Sequence, residues 1–260
     1  MVDVNEALET WLACHDRVAP GLIEGLYIVG SIALDDWRPG SDVDIVAFTA
    51  DPATDEDADS LSEAFELFRV EVPTVDIDGP ILAWGDVTVP PYTLHRPWSL
   101  GEQFHHDAEC FEINPITWYV LDRHGLAVRG PDVGDLQIVT DADQRVLFVR
   151  DNVDLYWRSV GEAVTAALDD PSRVIDGGLV EWCILGVARM LYTYRTTDVA
   201  SKSAAGRWLA GQMPEFQLVI EQALAVRGGS SPNGPLEPVD RSTAVATAAV
   251  VDRVVKLIAG

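Results

Sequence analysis

Along the first half of the chain, short apolar runs alternate with longer stretches in which apolar residues recur every three or four positions. Residues 24–29 and 42–49 are apolar runs of strand length, and 74–84 ("TVDIDGPILAW") reads as a third strand. Helical spacing covers 5–17, stopped before Pro20, and 55–68, whose acidic start suits a helix N-terminus. "PPYTLHRPW" at 90–98 is a proline-punctuated loop, and Asn114-Pro115 is a cap and first position for a helix that ends at Gly125. In the second half the period is helical throughout. It predicts helices over 143–168, 179–196, 203–210, 214–227 and 241–258, separated by "DDPSRVIDGG" and "RGGSSPNGPLEP". The expected architecture is an α/β (α+β) first domain with a mixed sheet over 1–138, then an all-α helical bundle over 139–260.

Composition supports two real cores. The 260 residues are 48% hydrophobic with eight tryptophans, and no uncharged apolar stretch reaches the length of a membrane span. "MVDVNEALETWL" is acidic and amphipathic, unlike a secretory signal. Cys14, Cys110 and Cys183 are too few and too scattered for a zinc site or a disulfide framework, so a reducing cytoplasm is expected. The net charge of −24 is uneven: 29 acidic and 8 basic residues precede position 151, against 13 and 10 after it. Such a field repels nucleic acid and attracts cations, so neither a nucleic-acid nor a membrane partner is expected. A monomer acting on a small cationic molecule is.

The candidate chemistry lies in "GLYIVGSIALDDWRPGSDVDIVAFTA", residues 25–50. Residues two apart on a strand share a face, so Asp42 and Asp44 point one way while Val43 and Ile45 point the other. Two carboxylates that close repel unless a cation neutralises them, and hard oxygen ligands of this kind suit Mg²⁺. Upstream, Gly30-Ser31 ends an apolar run and begins a short helical turn whose backbone N–H groups can approach a phosphate. A phosphate grip joined to a metal grip implies phosphoryl or nucleotidyl transfer with Mg²⁺, in such sites two ions. In the DNA-polymerase-β-type nucleotidyltransferases, which this stretch resembles, a third carboxylate comes from a later strand, and Glu71, Asp76 and Asp78 are the candidates here. Asp76 and Asp78 share a face, so spacing does not separate them.

Tyr27 to Phe48 resembles the signature of the DNA-polymerase-β-type nucleotidyltransferases. "IDGPILAWGDV" (77–87) and "LGVARMLYTYRTTDVASKSAAGRWL" (185–209) are similar to the streptomycin/spectinomycin (aminoglycoside) adenylyltransferases. The resemblance selects Asp78 as third carboxylate and catalytic base, with Asp42, Asp44 and Asp78 as metal ligands. It gives Lys202, in "SKSAAGRW", contact with the nucleotide phosphates alongside Gly30 and Ser31. It matches Arg189 to an arginine that braces its helix; Tyr192 and Trp208 are expected in the core. The implied reaction moves AMP from ATP to a hydroxyl of an aminoglycoside or aminocyclitol antibiotic. A different small acceptor, a protein target, or nucleotide binding without catalysis are the alternatives.

The resemblance thins where the family holds its drug. The family's streptomycin-type enzymes use a tryptophan and two aspartates before the arginine-bearing helix. The loop here, "LDDPSRVIDGGLVEW", carries Asp169, Asp170, Asp176 and Glu181 at other positions, with tryptophans at 157 and 182. Trp98, Asp176 and Glu181 are the candidate acceptor contacts. His105-His106 lack a second pair at ligand spacing and read as a polar helix or loop.

Overall fold

The computed structural model describes residues 3–89, 91, 94–170, 172–229 and 235–260. Parts of the expected loops at 90–98, 169–178 and 227–238 therefore lie outside the described residues. The chain divides into two compact units, Met1–Thr140 and Asp141–Gly260. Among the described residues no helix is long and apolar enough to cross a membrane.

The first unit opens with α1 (Val4–Val18) and β1 (Gly25–Ile28). After the short turn α2 (Gly30–Ala33) come β2 (Val43–Thr49), α3 (Asp55–Glu71) and β3 (Ile77–Ala83). Then follow β4 (Trp98–Leu100), β5 (Gln103–His105), α4 (Pro115–His124) and β6 (Leu126–Arg129). The sheet order is β5-β4-β3-β2-β1-β6. It is mixed: β2 and β3 run parallel, every other pair antiparallel. The parallel pair needs a crossover, and α3 supplies it.

Side-chain alternation builds the layers. Leu26 and Ile28 on β1, Val43, Ile45 and Ala47 on β2, and Ile77 and Ile81 on β3 join Leu8, Trp11, Leu61 and Phe68 of α1 and α3 in one core. The intervening positions face the other side of the sheet. There Phe48 stacks on Trp84 at 4.4 Å and meets Tyr27 edge-on, while the Tyr27 hydroxyl donates to the Pro131 carbonyl at 2.8 Å. Asp44 and Asp78 share the parity of that second face.

The helical expectations hold for α1, α3 and α4. Thr54 and Asp57 cap α3 reciprocally, and the Asn114 side chain accepts from the Ile116 and Thr117 N–H groups. Strands β5, β6 and most of β4 fall in stretches that the periodicity left unassigned; Trp98, expected at the end of the 90–98 loop, opens β4, and His105, expected in a helix or loop, ends β5. Three- and four-residue strands offer too little alternation to read; their pairing partners create them.

In the second unit the expected helix at 143–168 is interrupted. It consists of α5 (Ala142–Asn152), one π-helical turn over Val153–Trp157, and α6 (Arg158–Ala167). Then come α7 (Gly177–Thr196), α8 (Lys202–Gln212), α9 (Gln217–Arg227) and α10 (Arg241–Ile258). Residues 183–188 of α7 are buried all round, as suits a helix packed against α5, α8, α9 and α10. Its last carbonyls bend into the left-handed Thr197 (φ 61°), where buried Arg145 donates twice to the Thr197 oxygen, at 3.0 and 3.1 Å. Tyr192 and Trp208 meet edge-to-face at 5.4 Å, only partly buried, so they seal α7 against α8 at the surface of this core rather than inside it.

Two substitutions separate local capping from sheet register. Thr54→Ala removes the capping box and is expected to cost about 1 kcal/mol in urea unfolding. Gly79→Ala is expected to cost more, because its Cβ would fall 1.9 Å from the Ile45 carbonyl oxygen.

Candidate active site

The site begins with strand register. Asp44 and Asp78 are direct partners across the parallel β2–β3 pair. Their ladder keeps a constant offset from Val43↔Ile77 to Thr49↔Ala83, with the pairs at Ile45 and Val46 missing where Gly79-Pro80 passes. Proline has no N–H to give a ladder, and Gly79 takes φ +145° with the Ile45 carbonyl where a Cβ would be. Only glycine lets the strands close at that point.

Asp44 is crowded from the other side. Gly30 has φ +59°, and a Cβ there would lie 1.8 Å from Asp44 Oδ2. The Ser31 N–H donates to the same oxygen at 3.3 Å. The Gly-Ser turn thus packs directly on the Asp44 carboxylate. The Ser31 hydroxyl is buried and has no hydrogen-bond partner among the described residues, which is the kind of polar atom a ligand completes. Asp42 precedes β2 and is exposed; Asp44 is half-buried; Asp78 is buried.

Asp78 and Asp76 receive different treatment. Asp78 Oδ1 accepts from the Gly101 N–H at 2.7 Å, and its pKa is raised to about 6. Burial is the main cause; the Gly101 N–H opposes it, and the Asp42, Asp76 and Asp44 charges add to it. Asp76 is ion-paired with Arg69, which also reaches Glu102 at 3.1 Å. Glu71, the third candidate, closes α3 and pairs with Arg17 at 2.6 Å. Arginine engages both rejected candidates, and Asp78 alone of the three stands beside Asp44.

A residue that sequence reasoning passed over feels the same charges. Glu112, two positions before the cap of α4, has its pKa raised to about 8, first by burial and then by Asp44, Asp78 and Asp42 in that order. Its only sequence signal is an acid set among apolar residues in "CFEINP", and no spacing ties it to β2.

These hard oxygen donors fit a divalent cation by chemistry. Among the described residues no three acidic, imidazole or thiol groups already converge at ligand distance, as expected for carboxylates that repel one another. All three cysteines are free and buried.

The remaining candidates have partners of their own. Trp98 is buried, stacked on His105 at 4.1 Å and edge-on to Phe111. Asp176 caps α7 by accepting from the Leu179 N–H at 2.8 Å. Glu181 lies 3.7 Å from Lys202 Nζ and 3.4 Å from Arg227 Nη1. Lys202 opens α8 behind its cap Ser201, so Glu181 offsets a cation placed against the helix dipole. Arg189 is partly buried on α7.

Comparison with known proteins agrees with both halves. Residues 11–88 match the family described as nucleotidyltransferase domain, and 150–250 match aminoglycoside adenylyltransferase, C-terminal domain. No curated protein matches the chain. Among solved structures, the fold resembles spectinomycin adenyltransferase AAD(9) from Enterococcus faecialis, solved with ATP and spectinomycin. The TM-score is 0.69 at 15% identity, over 97% of this chain and 99% of that one. With a nucleotidyltransferase domain match in the first unit and an aminoglycoside adenylyltransferase C-terminal match in the second, the chain is an enzyme whose two halves are those of the aminoglycoside adenylyltransferase-family nucleotidyltransferases.

Proposed function

We propose that the enzyme transfers AMP from ATP to a hydroxyl of a small cationic aminoglycoside or aminocyclitol. The observation that carries this is the placement of Asp44 beside Asp78 at the Gly30-Ser31 turn, in a chain with the adenylyltransferase C-terminal domain. The structural relative holds ATP and spectinomycin, which supports the choice of both substrates.

In this reading Asp42, Asp44 and Asp78 hold Mg²⁺ against the triphosphate. Bound there, the metal would neutralise the charge of the phosphates. The unpartnered Ser31 hydroxyl and the N–H groups of the turn take phosphate oxygens. Lys202 adds positive charge to the phosphates, the role the family resemblance gives it. Asp78 accepts the proton of the acceptor hydroxyl as that oxygen bonds to the α-phosphorus; the bond from the α-phosphorus to the bridging oxygen breaks and pyrophosphate leaves. The excess of acid in the first 150 residues draws a polycationic acceptor towards the first unit.

Incubation with ATP, Mg²⁺ and a panel of aminoglycosides and spectinomycin, read by mass spectrometry, tests the assignment. One acceptor is expected to gain the mass of an AMP group, and Asp44→Asn to abolish the product while leaving the circular dichroism unchanged. Unmodified acceptors throughout, with ATP still bound, would move the acceptor outside this class. Asp78→Asn is expected to lower kcat by at least 100-fold with little change in the KM for ATP. The same phenotype in Asp76→Asn alone would shift the base by two residues.

Charge crowding also predicts a pH dependence of stability without cations. The folded-state pKa values of Asp78 and Glu112, about 6 and about 8, lie above the ordinary carboxylate range. Their protonated forms therefore favour the folded state below the ordinary carboxylate range, and that stability is lost as pH rises through about 6 and about 8. Melting temperatures in EDTA are expected to fall between pH 5 and pH 8.5, and a saturating divalent ion to reduce the fall.

A further inference from the structure

Five residues, 197–201, join α7 to α8, and each is restrained. The Thr197 N–H donates to the Thr193 carbonyl at 2.8 Å, and the Asp198 N–H to the Thr196 hydroxyl at 3.2 Å. The Val199 N–H donates to the Asp198 carboxylate at 2.8 Å, and Ala200 is buried. Ser201, also buried, caps α8 by accepting from the Ala204 N–H at 3.2 Å. Lys202 follows directly as the first residue of α8.

Thr197 carries the bend between the two helices. Its φ of 61° and ψ of 0° are left-handed, a conformation that costs a β-branched residue strain and that glycine usually takes at a helix end. Strain of this kind persists where the surroundings over-determine it, and it gathers at functional sites. The restraint comes from Arg145 on α5, 52 residues earlier in the chain, whose Nε–H and Nη2–H both reach the Thr197 carbonyl oxygen, at 3.1 and 3.0 Å. Arg145 is itself buried, and its charge meets the negative end of the 20-residue α7. An apolar side chain would fill the same space without desolvating a charge, so what the guanidinium adds is direction.

We propose that Arg145 is a positioning residue for Lys202: by fixing the joint between α7 and α8, it fixes the point from which the Lys202 ammonium meets the nucleotide phosphates. The proposal rests on the phosphate role of Lys202 given above, and the two can fail separately.

Calorimetric titration of the full chain with a non-hydrolysable ATP analogue and Mg²⁺ tests it. Lys202→Ala and Arg145→Met are each expected to raise the dissociation constant about tenfold, as for the loss of one charge-assisted bond to phosphate. Arg145→Lys keeps the charge but not the two-pronged grip, so its affinity should fall between wild type and Arg145→Met. It carries the same comparison if Arg145→Met does not fold. Combining either Arg145 variant with Lys202→Ala separates positioning from mere support of the fold. Once Lys202 is gone, changing Arg145 should alter the affinity less than about twofold, while the melting temperature still drops. Wild-type affinity in the Arg145 variants, or an equal loss with and without Lys202, overturns the proposal. If Lys202→Ala binds the analogue as the wild type does, the phosphate role of Lys202 falls, and this proposal with it.

Discussion

The site depends on how closely two parallel strands approach each other. β2 and β3 must pair so that Asp44 and Asp78 stand side by side, although two carboxylates on adjacent strands repel. What holds them there is the opposite face of the same strands. Val43, Ile45, Ile77 and Ile81 are buried under α1 and α3, each contributing about 1.5–3 kcal/mol of burial. A slip of one residue would turn these side chains outward, so the apolar face fixes the register that the acidic face opposes. Gly79 and Gly30 complete the arrangement, each standing where a Cβ would collide with the neighbour that matters, the Ile45 carbonyl and the Asp44 carboxylate.

This division of labour explains why some of the site is legible in the sequence. Asp42 and Asp44 could be read because a period of two is a local property, and the Gly-Ser step fixes what precedes them. The third carboxylate was not separable by spacing, since Asp76 and Asp78 have the same parity. What distinguishes them is tertiary: Arg69 on α3 pairs with Asp76, while Asp78 is buried beside Asp44. Glu112 carries only the signal of an acid among apolar residues, because the carboxylates that raise its pKa come from strands some 35 and 70 residues earlier. Family resemblance supplied Asp78; it did not supply Glu112.

In the helical unit the periodicity gave lengths and order, and missed the joints. The stretch at 143–168 keeps apolar spacing across the π turn, so nothing local marks it. Glu181 shows a different limit. An acid near the expected drug-binding loop suggests a contact with a cationic acceptor, yet here it lies between Lys202 and Arg227.

The central claim is that the β2–β3 register builds a cation site at the Gly30-Ser31 turn. A crystal structure with Mn²⁺ and a non-hydrolysable ATP analogue, using the anomalous signal of manganese, tests it most directly. The account predicts manganese between the Asp44 and Asp78 carboxylates, with a phosphate oxygen on the Ser31 hydroxyl. Manganese bound elsewhere, or a nucleotide whose phosphates avoid the Gly30-Ser31 turn, would contradict it.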